Sequence, residues 1–170
     1  IGGPNDYSKL TAAQMTQAAV ISINELNFTR ARLPIRNGAE GCGGSCFSPV
    51  NDNADPNVLN MSAFDFSSID GLVDKVLVPL RQAASAAGKT FYVDLQYVDH
   101  QTNTPFEHGS NPAEYAEFML AVFTHLRDKS AFVPDGIDIV SEPDNFPDWA
   151  GQGDKIGRVI VATAAKLQAA

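Results

Sequence analysis

The segment with the clearest chemical character is GIDIVSEPDN, residues 136–145, where an apolar run meets a polar loop. Glu142 stands at this boundary, and Pro143 restricts the backbone immediately after it. Alternation along an extended strand puts Asp138, Val140 and Glu142 on one face and Ile137, Ile139 and Ser141 on the other. A carboxylate that is partly desolvated at a strand end can keep its proton near neutral pH and act as a proton donor.

The N-terminal part of the chain predicts a helix followed by a strand. Thr11 and Gln14 have the spacing of a capping box, which predicts a helix over residues 11–24. The alternation in NFTRARLPI, from residue 27, indicates a strand on which Arg30 and Arg32 share a face. We expect Pro34 to end the pairing of this strand.

Residues 36–62 are rich in Gly, Asn, Asp and Pro, and they exceed the length at which structureless loops are common. We interpret this segment as an active-site loop. Residues 67–88 then space apolar side chains at helical intervals and end at Gly88, a usual residue just past a helix. Pro79 is expected to kink this helix.

The remaining residues continue the alternation of helices and strands. TFYVDLQYV, residues 90–98, has the composition of a strand, and Asn111 with Pro112 is suited to start a helix whose apolar stripe runs from Tyr115 to Leu126. DGIDIV predicts a third strand, and a last helix follows from about residue 153. Four helices alternating with three strands predict right-handed crossovers and a parallel sheet.

A parallel sheet of this kind occurs in doubly wound folds and in eight-stranded barrels, and both place ligands at the carboxyl ends of the strands. Glu142 is predicted to lie at such an end. The chain has no GxGxxG motif between a strand and a helix and no GxxxxGK[ST] motif, so nucleotide binding has no support. We therefore expect no cofactor.

Two motifs resemble those of the clan A glycoside hydrolases, which are retaining (β/α)8 barrels such as cellulases, mannanases and the family 5 and family 30 enzymes. SEPD, from Ser141 to Asp144, is similar to the Asn-Glu-Pro motif of their fourth strand, and RLP, from Arg32 to Pro34, is similar to the Arg-x-Pro motif of their second strand. The order of elements matches strands two to four and helices one to four over the whole chain.

This resemblance implies a hydrolase acting on β-linked oligo- or polysaccharides, with Glu142 as the acid/base and Arg32 at the floor of the site. Ser141 stands where relatives have an Asn that contacts the sugar 2-hydroxyl, and Gln96 stands where many have His. Asp138 matches an acid that often lies four positions before the catalytic glutamate. Tyr97 and Trp149 are candidates for stacking on sugar rings, as is Phe146.

The same resemblance implies that the chain covers the N-terminal half of a barrel, because such a domain typically has about 250 residues. The first strand is then expected before Ile1 and strands five to eight after Ala170, including the strand that carries the nucleophile. Retaining hydrolysis requires a second carboxylate about 5 Å from the first. The C-terminal half of the barrel is thus an expected partner, and the isolated chain is expected to be inactive.

Cys42 and Cys46 are close in sequence, and the glycines between them allow a small ring to close. A local disulfide is favoured over free thiols or a metal site, and it indicates an extracellular or periplasmic protein. His100 and His108 are eight positions apart, which matches no common zinc spacing, so we predict no metal site and expect them to contact substrate or solvent.

The overall charge excludes one class of partner. A formal charge of −8, without any basic run, is unsuited to a nucleic acid. No apolar run has the length of about 20 residues that a membrane-spanning helix needs, and the residues from Ile1 lack the pattern of a signal peptide, so we expect a soluble protein with no membrane partner.

Several alternatives remain open at this stage. Glu142 could be a solvated loop acid, Arg32 could pair with Asp94 or Asp138 as a structural residue, and Trp149 could cover the core. The protein could be a carbohydrate-binding barrel without catalysis, which a missing carboxylate on strand seven would indicate. It could also be a complete doubly wound domain of another function.

Overall fold

The computed structural model describes residues 6–42, 46–99 and 106–170. The helices and strands are α1 Ala12–Asn24, β1 Arg30–Arg36, α2 Ser67–Leu72, α3 Val78–Ala86, β2 Tyr92–Val98, α4 Pro112–Ser130, β3 Gly136–Asp138 and α5 Gly153–Gln168. The predicted order of alternating helices and strands is confirmed, and the fold is mixed α/β.

The three strands form a parallel sheet in the order β1-β2-β3. Each strand therefore lies beside the next strand in the chain. In the register of the sheet, Arg32 lies opposite Asp94, and Gln96 lies opposite Asp138. Both β1 and β3 are edges of the described sheet.

The two faces of the sheet differ sharply in burial. One face carries apolar side chains that are fully buried beneath the helices: Leu33, Ile35, Val93, Leu95 and Tyr97. Complete burial of one such aliphatic side chain contributes about 1.5–3 kcal/mol to folding. The opposite face carries exposed or half-buried side chains, mostly polar: Arg30, Arg32, Pro34, Arg36, Tyr92, Asp94, Gln96 and Asp138. We call this second surface the open face.

The α1 and α4 helices begin where their sequences predict. The hydroxyl of Thr11 accepts a bond from the Gln14 N–H, and the Gln14 side chain accepts one from the Thr11 N–H, so the capping box is confirmed. Pro112 begins α4, although Asn111 donates its side-chain amide to the Glu107 carbonyl and does not cap the helix. Buried side chains from Tyr115 to Leu126 confirm the predicted stripe of α4.

The helix that contains Pro79 is irregular close to this residue, which has no backbone N–H to donate. A π-helical turn over Val73–Leu77 separates α2 from α3, and Pro79 lies at the start of α3. The helix is therefore irregular beside Pro79, where the sequence predicted a kink. Gly88 follows α3 with φ of 65°, a left-handed conformation that glycine adopts readily.

Two sequence-based expectations about the strands are wrong. Pro34 does not end the pairing of β1, because the register continues with Pro34 opposite Gln96 and Arg36 opposite Val98. An edge strand tolerates proline, since one of its sides has no ladder to lose. The third strand, predicted over residues 135–140, is confined to Gly136–Asp138.

A helix that spans a membrane must be both long and apolar. None of the described helices combines the length and the apolar character that spanning a membrane requires.

Candidate functional site

The carboxyl ends of the three strands lie at the same edge of the sheet, and an acidic or amide residue follows each of them. Asn37 directly follows β1, Asp99 directly follows β2, and Glu142 follows β3 after a short turn. Parallel α/β sheets bind ligands at this edge. This edge and the open face beside it form the candidate site.

The open face brings together the polar residues that the sequence assigned to a single site. Arg32, Gln96 and Asp138 occupy this face on three successive strands, and the Gln96 side-chain amide donates a 3.2 Å hydrogen bond to Asp138 Oδ2. Burial and the nearby Asp138 carboxylate raise the pKa of Asp94, against the opposing charges of Arg30 and Arg32. The face is therefore a cluster of interacting charges.

Glu142 does not continue the strand alternation that the sequence suggested. Because β3 ends at Asp138, Val140 turns into the core, and the Ile139 carbonyl accepts a 2.6 Å hydrogen bond from the Tyr115 hydroxyl. The Ser141 N–H donates to the Tyr97 carbonyl at 2.8 Å. These bonds turn the chain out of the sheet before Glu142.

The backbone and side chain of Glu142 have an unusual placement. Its φ of 50° and ψ of 54° are left-handed, which is uncommon for a residue other than glycine. Its side chain is exposed, which corrects the expectation of partial desolvation, and Oε2 accepts a 3.0 Å hydrogen bond from the Asn145 amide. A carboxylate at this position is open to a ligand from solvent.

Two of the candidate substrate contacts are buried. Tyr97 lies on the helix-facing side of β2 with 0% exposure, so its ring faces the core and not the open face that carries Gln96. Trp149 is 1% exposed, and its ring contacts Tyr97 edge-on. This placement supports the alternative in which Trp149 covers the core. Ser141 and Phe146 are half-buried beside the turn.

A buried hydrogen-bonded chain lies directly beneath the candidate site, and sequence analysis did not identify it. Glu40 Oε2 is 2.6 Å from His108 Nε2, and His108 Nδ1 is 2.8 Å from the Tyr97 hydroxyl. Burial, followed by the Asp99 charge, raises the pKa of Tyr97 well above its ordinary value, so the hydroxyl keeps its proton. A neutral imidazole with its hydrogen on Nε2 would donate to Glu40 and accept from the Tyr97 hydroxyl at Nδ1.

Asp99 is the centre of a second set of buried bonds. Its Oδ1 accepts from the Asn37 amide at 2.9 Å, and its Oδ2 accepts from the Trp149 indole N–H at 2.9 Å. The Asn37 side chain also accepts from the Gly38 N–H and donates to the Phe47 carbonyl. These bonds hold together the segments that follow all three strands.

The residues of both sets of buried bonds position loops and are not in contact with solvent. Asn37 and His108 are 0% exposed, and Asp99 and Glu40 are 2% exposed. The expectation that His108 contacts substrate or solvent is therefore corrected. One sequence signal could have found part of the network, because Asp99 stands immediately after a predicted strand and Asn37 stands two positions after another.

The long loop after β1 contains a disulfide between Cys42 and Cys46, as the sequence predicted. Gly38 lies against it, since a Cβ at this glycine would be 2.6 Å from both sulfur atoms. The intervening residues 43–45 and His100 lie outside the described part of the chain. A group of three carboxylates also forms where this loop meets α4: Asp52, Glu114 and Glu117.

The chain was compared with protein-family models, curated proteins and solved structures. None of these comparisons gives a match.

Proposed function

We propose that this chain is part of a retaining glycoside hydrolase of (β/α)8-barrel architecture, with Glu142 as its acid/base. The observation that carries the proposal is the placement of Glu142, an exposed carboxylate on left-handed backbone at the carboxyl edge of a parallel sheet. Sparsely populated backbone conformations cluster at active sites, where the surrounding structure maintains them.

The topology of the sheet supports the barrel. In a (β/α)8 barrel each strand lies beside the next one in the chain, and the helices cover only the outer face. The order β1-β2-β3 and the burial of one face fit this arrangement. The exposed side of the sheet, with Arg32, Asp94 and Gln96, would then be the inner wall. A doubly wound sheet would instead carry helices on both faces.

In the proposed reaction Glu142 is the proton donor. Its proton passes to the glycosidic oxygen as the bond to the anomeric carbon breaks, and a second carboxylate attacks that carbon. Glu142, now a carboxylate, then takes a proton from water, which attacks the same carbon and releases the second carboxylate. We assign that second carboxylate to the C-terminal half of the barrel.

The other candidate residues divide into two groups by their placement. Arg32 and Gln96 on the open face, with Ser141 at the turn, are suited to contact the substrate or the nucleophile. Tyr97 and Trp149 are buried under the site, and their role is to hold the loops in position. We propose an extracellular or periplasmic location, with which the Cys42–Cys46 disulfide is compatible.

The test uses the protein as its complete gene encodes it. Release of reducing ends from β-linked glucans, mannans and xylans is measured for the unchanged protein, for Glu142→Gln and for Asp144→Asn, which alters a second exposed acid in the same turn. Glu142→Gln should lower kcat by about 10² to 10⁴ while binding of oligosaccharide is retained. Asp144→Asn should remain close to the unchanged protein.

Unchanged turnover in Glu142→Gln would refute the assignment of the acid/base. Binding of oligosaccharides without hydrolysis by the unchanged protein would favour the carbohydrate-binding barrel. The absence of both binding and hydrolysis across the panel would overturn the proposed function.

A further inference from the structure

Three carboxylates meet between the long loop and α4. Asp52, Glu114 and Glu117 each offer one oxygen, and these atoms all lie within 4.8 Å of one another. Glu114 and Glu117 are one helical turn apart on α4 and so share a face. Like charges at this spacing repel, and the arrangement needs a proton or a cation to offset the repulsion.

Glu117 is the most unusual member of the group. The residue is 1% exposed, and among the described residues neither carboxylate oxygen has a hydrogen-bond partner outside the cluster, where the Glu114 carboxyl lies against it. Asp52 Oδ1 and Asn51 Oδ1 are also buried without a partner in the described part of the chain. Buried carboxylates normally have partners, because desolvating a charge is costly. These orphaned oxygens therefore indicate a ligand.

Lys166, whose positive charge acts on Glu117, already donates hydrogen bonds elsewhere. The Lys166 ammonium donates to the Pro56 carbonyl at 2.6 Å and lies 3.5 Å from Asn57 Oδ1. Its charge lowers the pKa of Glu117, but burial and the Asp52 charge prevail and raise that pKa to about 7. Burial likewise raises the pKa of Glu114. The ion pairs found within the described ranges join other residues.

Hydrogen bonds within the loop fix the orientation of the Asp52 carboxylate. Its Oδ2 accepts hydrogen bonds from the Asn53 amide at 2.9 Å and from the Asn60 N–H at 2.8 Å. These bonds fix the carboxylate and leave Oδ1 available. The Asp52 N–H donates to Glu40 Oε1 at 2.8 Å, which links this loop to the buried chain beneath the candidate site.

We propose that Asp52, Glu114 and Glu117 bind a calcium ion that joins the long loop to α4. Hard divalent cations prefer sets composed entirely of oxygen ligands. Ca²⁺ accepts six to eight such ligands in flexible geometry, whereas Mg²⁺ usually keeps several waters and uses one or two carboxylates. Three protein carboxylates fit calcium better. This proposal is independent of the proposed hydrolysis.

The experiment measures calcium binding by calorimetry and the melting temperature of chelator-treated protein, before and after addition of Ca²⁺ or Mg²⁺. We expect one Ca²⁺ per chain and a higher melting temperature with Ca²⁺ than with Mg²⁺. Glu117→Gln should weaken Ca²⁺ binding at least about tenfold and reduce the Ca²⁺-dependent shift. Glu25→Gln, an exposed acid beside α1, is the matched control and should bind as the unchanged protein does.

Glu117→Gln should fold without calcium, because the substitution removes a buried charge and keeps the size of the side chain. If it fails to fold, Glu114→Gln replaces it in the same measurements. Equal responses to Ca²⁺ and Mg²⁺ would overturn the choice of calcium. No response to either ion at millimolar concentration would overturn the site, and a proton shared between Glu114 and Glu117 would then explain the cluster.

Discussion

The indole N–H of Trp149 donates a 2.9 Å hydrogen bond to Asp99, and this bond joins the segment after β3 to the residue that directly follows β2. Because Asn37 donates to the same carboxylate, all three segments beyond the strands depend on one buried acid. The geometry of the candidate site therefore depends on residues that a ligand would not touch. Trp149 is also the only tryptophan in the chain, so its fluorescence reports on this bond directly.

Gly109→Ala tests how tightly Trp149 is held. A Cβ at Gly109 would lie 2.6 Å from the Trp149 ring, so the ring or the backbone at Gly109 must shift, and either shift strains the Trp149–Asp99 bond. We expect a loss of about 2 kcal/mol in the free energy of unfolding, with a red shift of the tryptophan emission in the folded state.

Gly157→Ala is the matched control for this substitution. Gly157 lies within α5 with nothing within 4 Å of its Cβ position, so alanine should stabilise the helix by up to about 1 kcal/mol. Equal stability of Gly109→Ala and the unchanged protein would show that the contact between Gly109 and Trp149 does not constrain the ring.

His108→Leu tests the buried chain from Glu40 to Tyr97. The substitution removes both ring nitrogens and leaves the Glu40 carboxylate, which is 2% exposed, without its histidine partner. We expect a loss of about 3 to 5 kcal/mol, measured by urea unfolding. His125→Leu breaks the more exposed pair with Asp70 and should cost about 1 kcal/mol or less.

The double variant Glu40→Gln/His108→Leu separates charge burial from packing. If an uncompensated carboxylate causes the loss, replacing it with a neutral amide should recover part of the stability. A double variant as unstable as His108→Leu alone would instead attribute the loss to packing around the ring.

The sequence predicted the elements of the fold well because local signals specify them. Thr11 and Gln14 mark the start of α1, and the alternation from Arg30 to Arg36 separates the two faces of β1. The buried network was not predicted, because Glu40 and His108 are 68 positions apart and meet only through tertiary packing. The turn after Asp138 was missed for the same reason, since its hydrogen bonds to Tyr115 and Tyr97 come from other elements.

Glu142→Gly tests whether the left-handed backbone at the candidate acid/base is strained. Glycine adopts a φ of 50° readily, whereas a side chain there is unfavourable. We expect Glu142→Gly to be more stable than Glu142→Ala by about 0.5 to 1 kcal/mol in chemical unfolding. Both variants lack the carboxylate, so their difference isolates the backbone. Equal stability would show that this turn is unstrained.

Asp94→Asn tests the electrostatics of the open face through the dependence of stability on pH. Burial and the Asp138 charge raise the pKa of Asp94 in the folded protein, so folding favours its protonated form. The resulting stabilisation is fully present below the ordinary pKa of 3.8 and is lost as the pH rises through the raised folded-state pKa. Asparagine does not titrate, so the variant should lose less stability than the unchanged protein over this range.

The measurement for Asp94→Asn is urea unfolding at about pH 3, 5 and 7, with Asp144→Asn as an exposed control that keeps the Asp94 titration. Relative to the unchanged protein, Asp94→Asn should gain stability between the lowest and the highest pH. A relative loss at the highest pH would mean that the charges of Arg30 and Arg32 outweigh burial. The carboxylate would then be a net stabilising partner of the arginines, and the open face would hold Arg32 in place through Asp94.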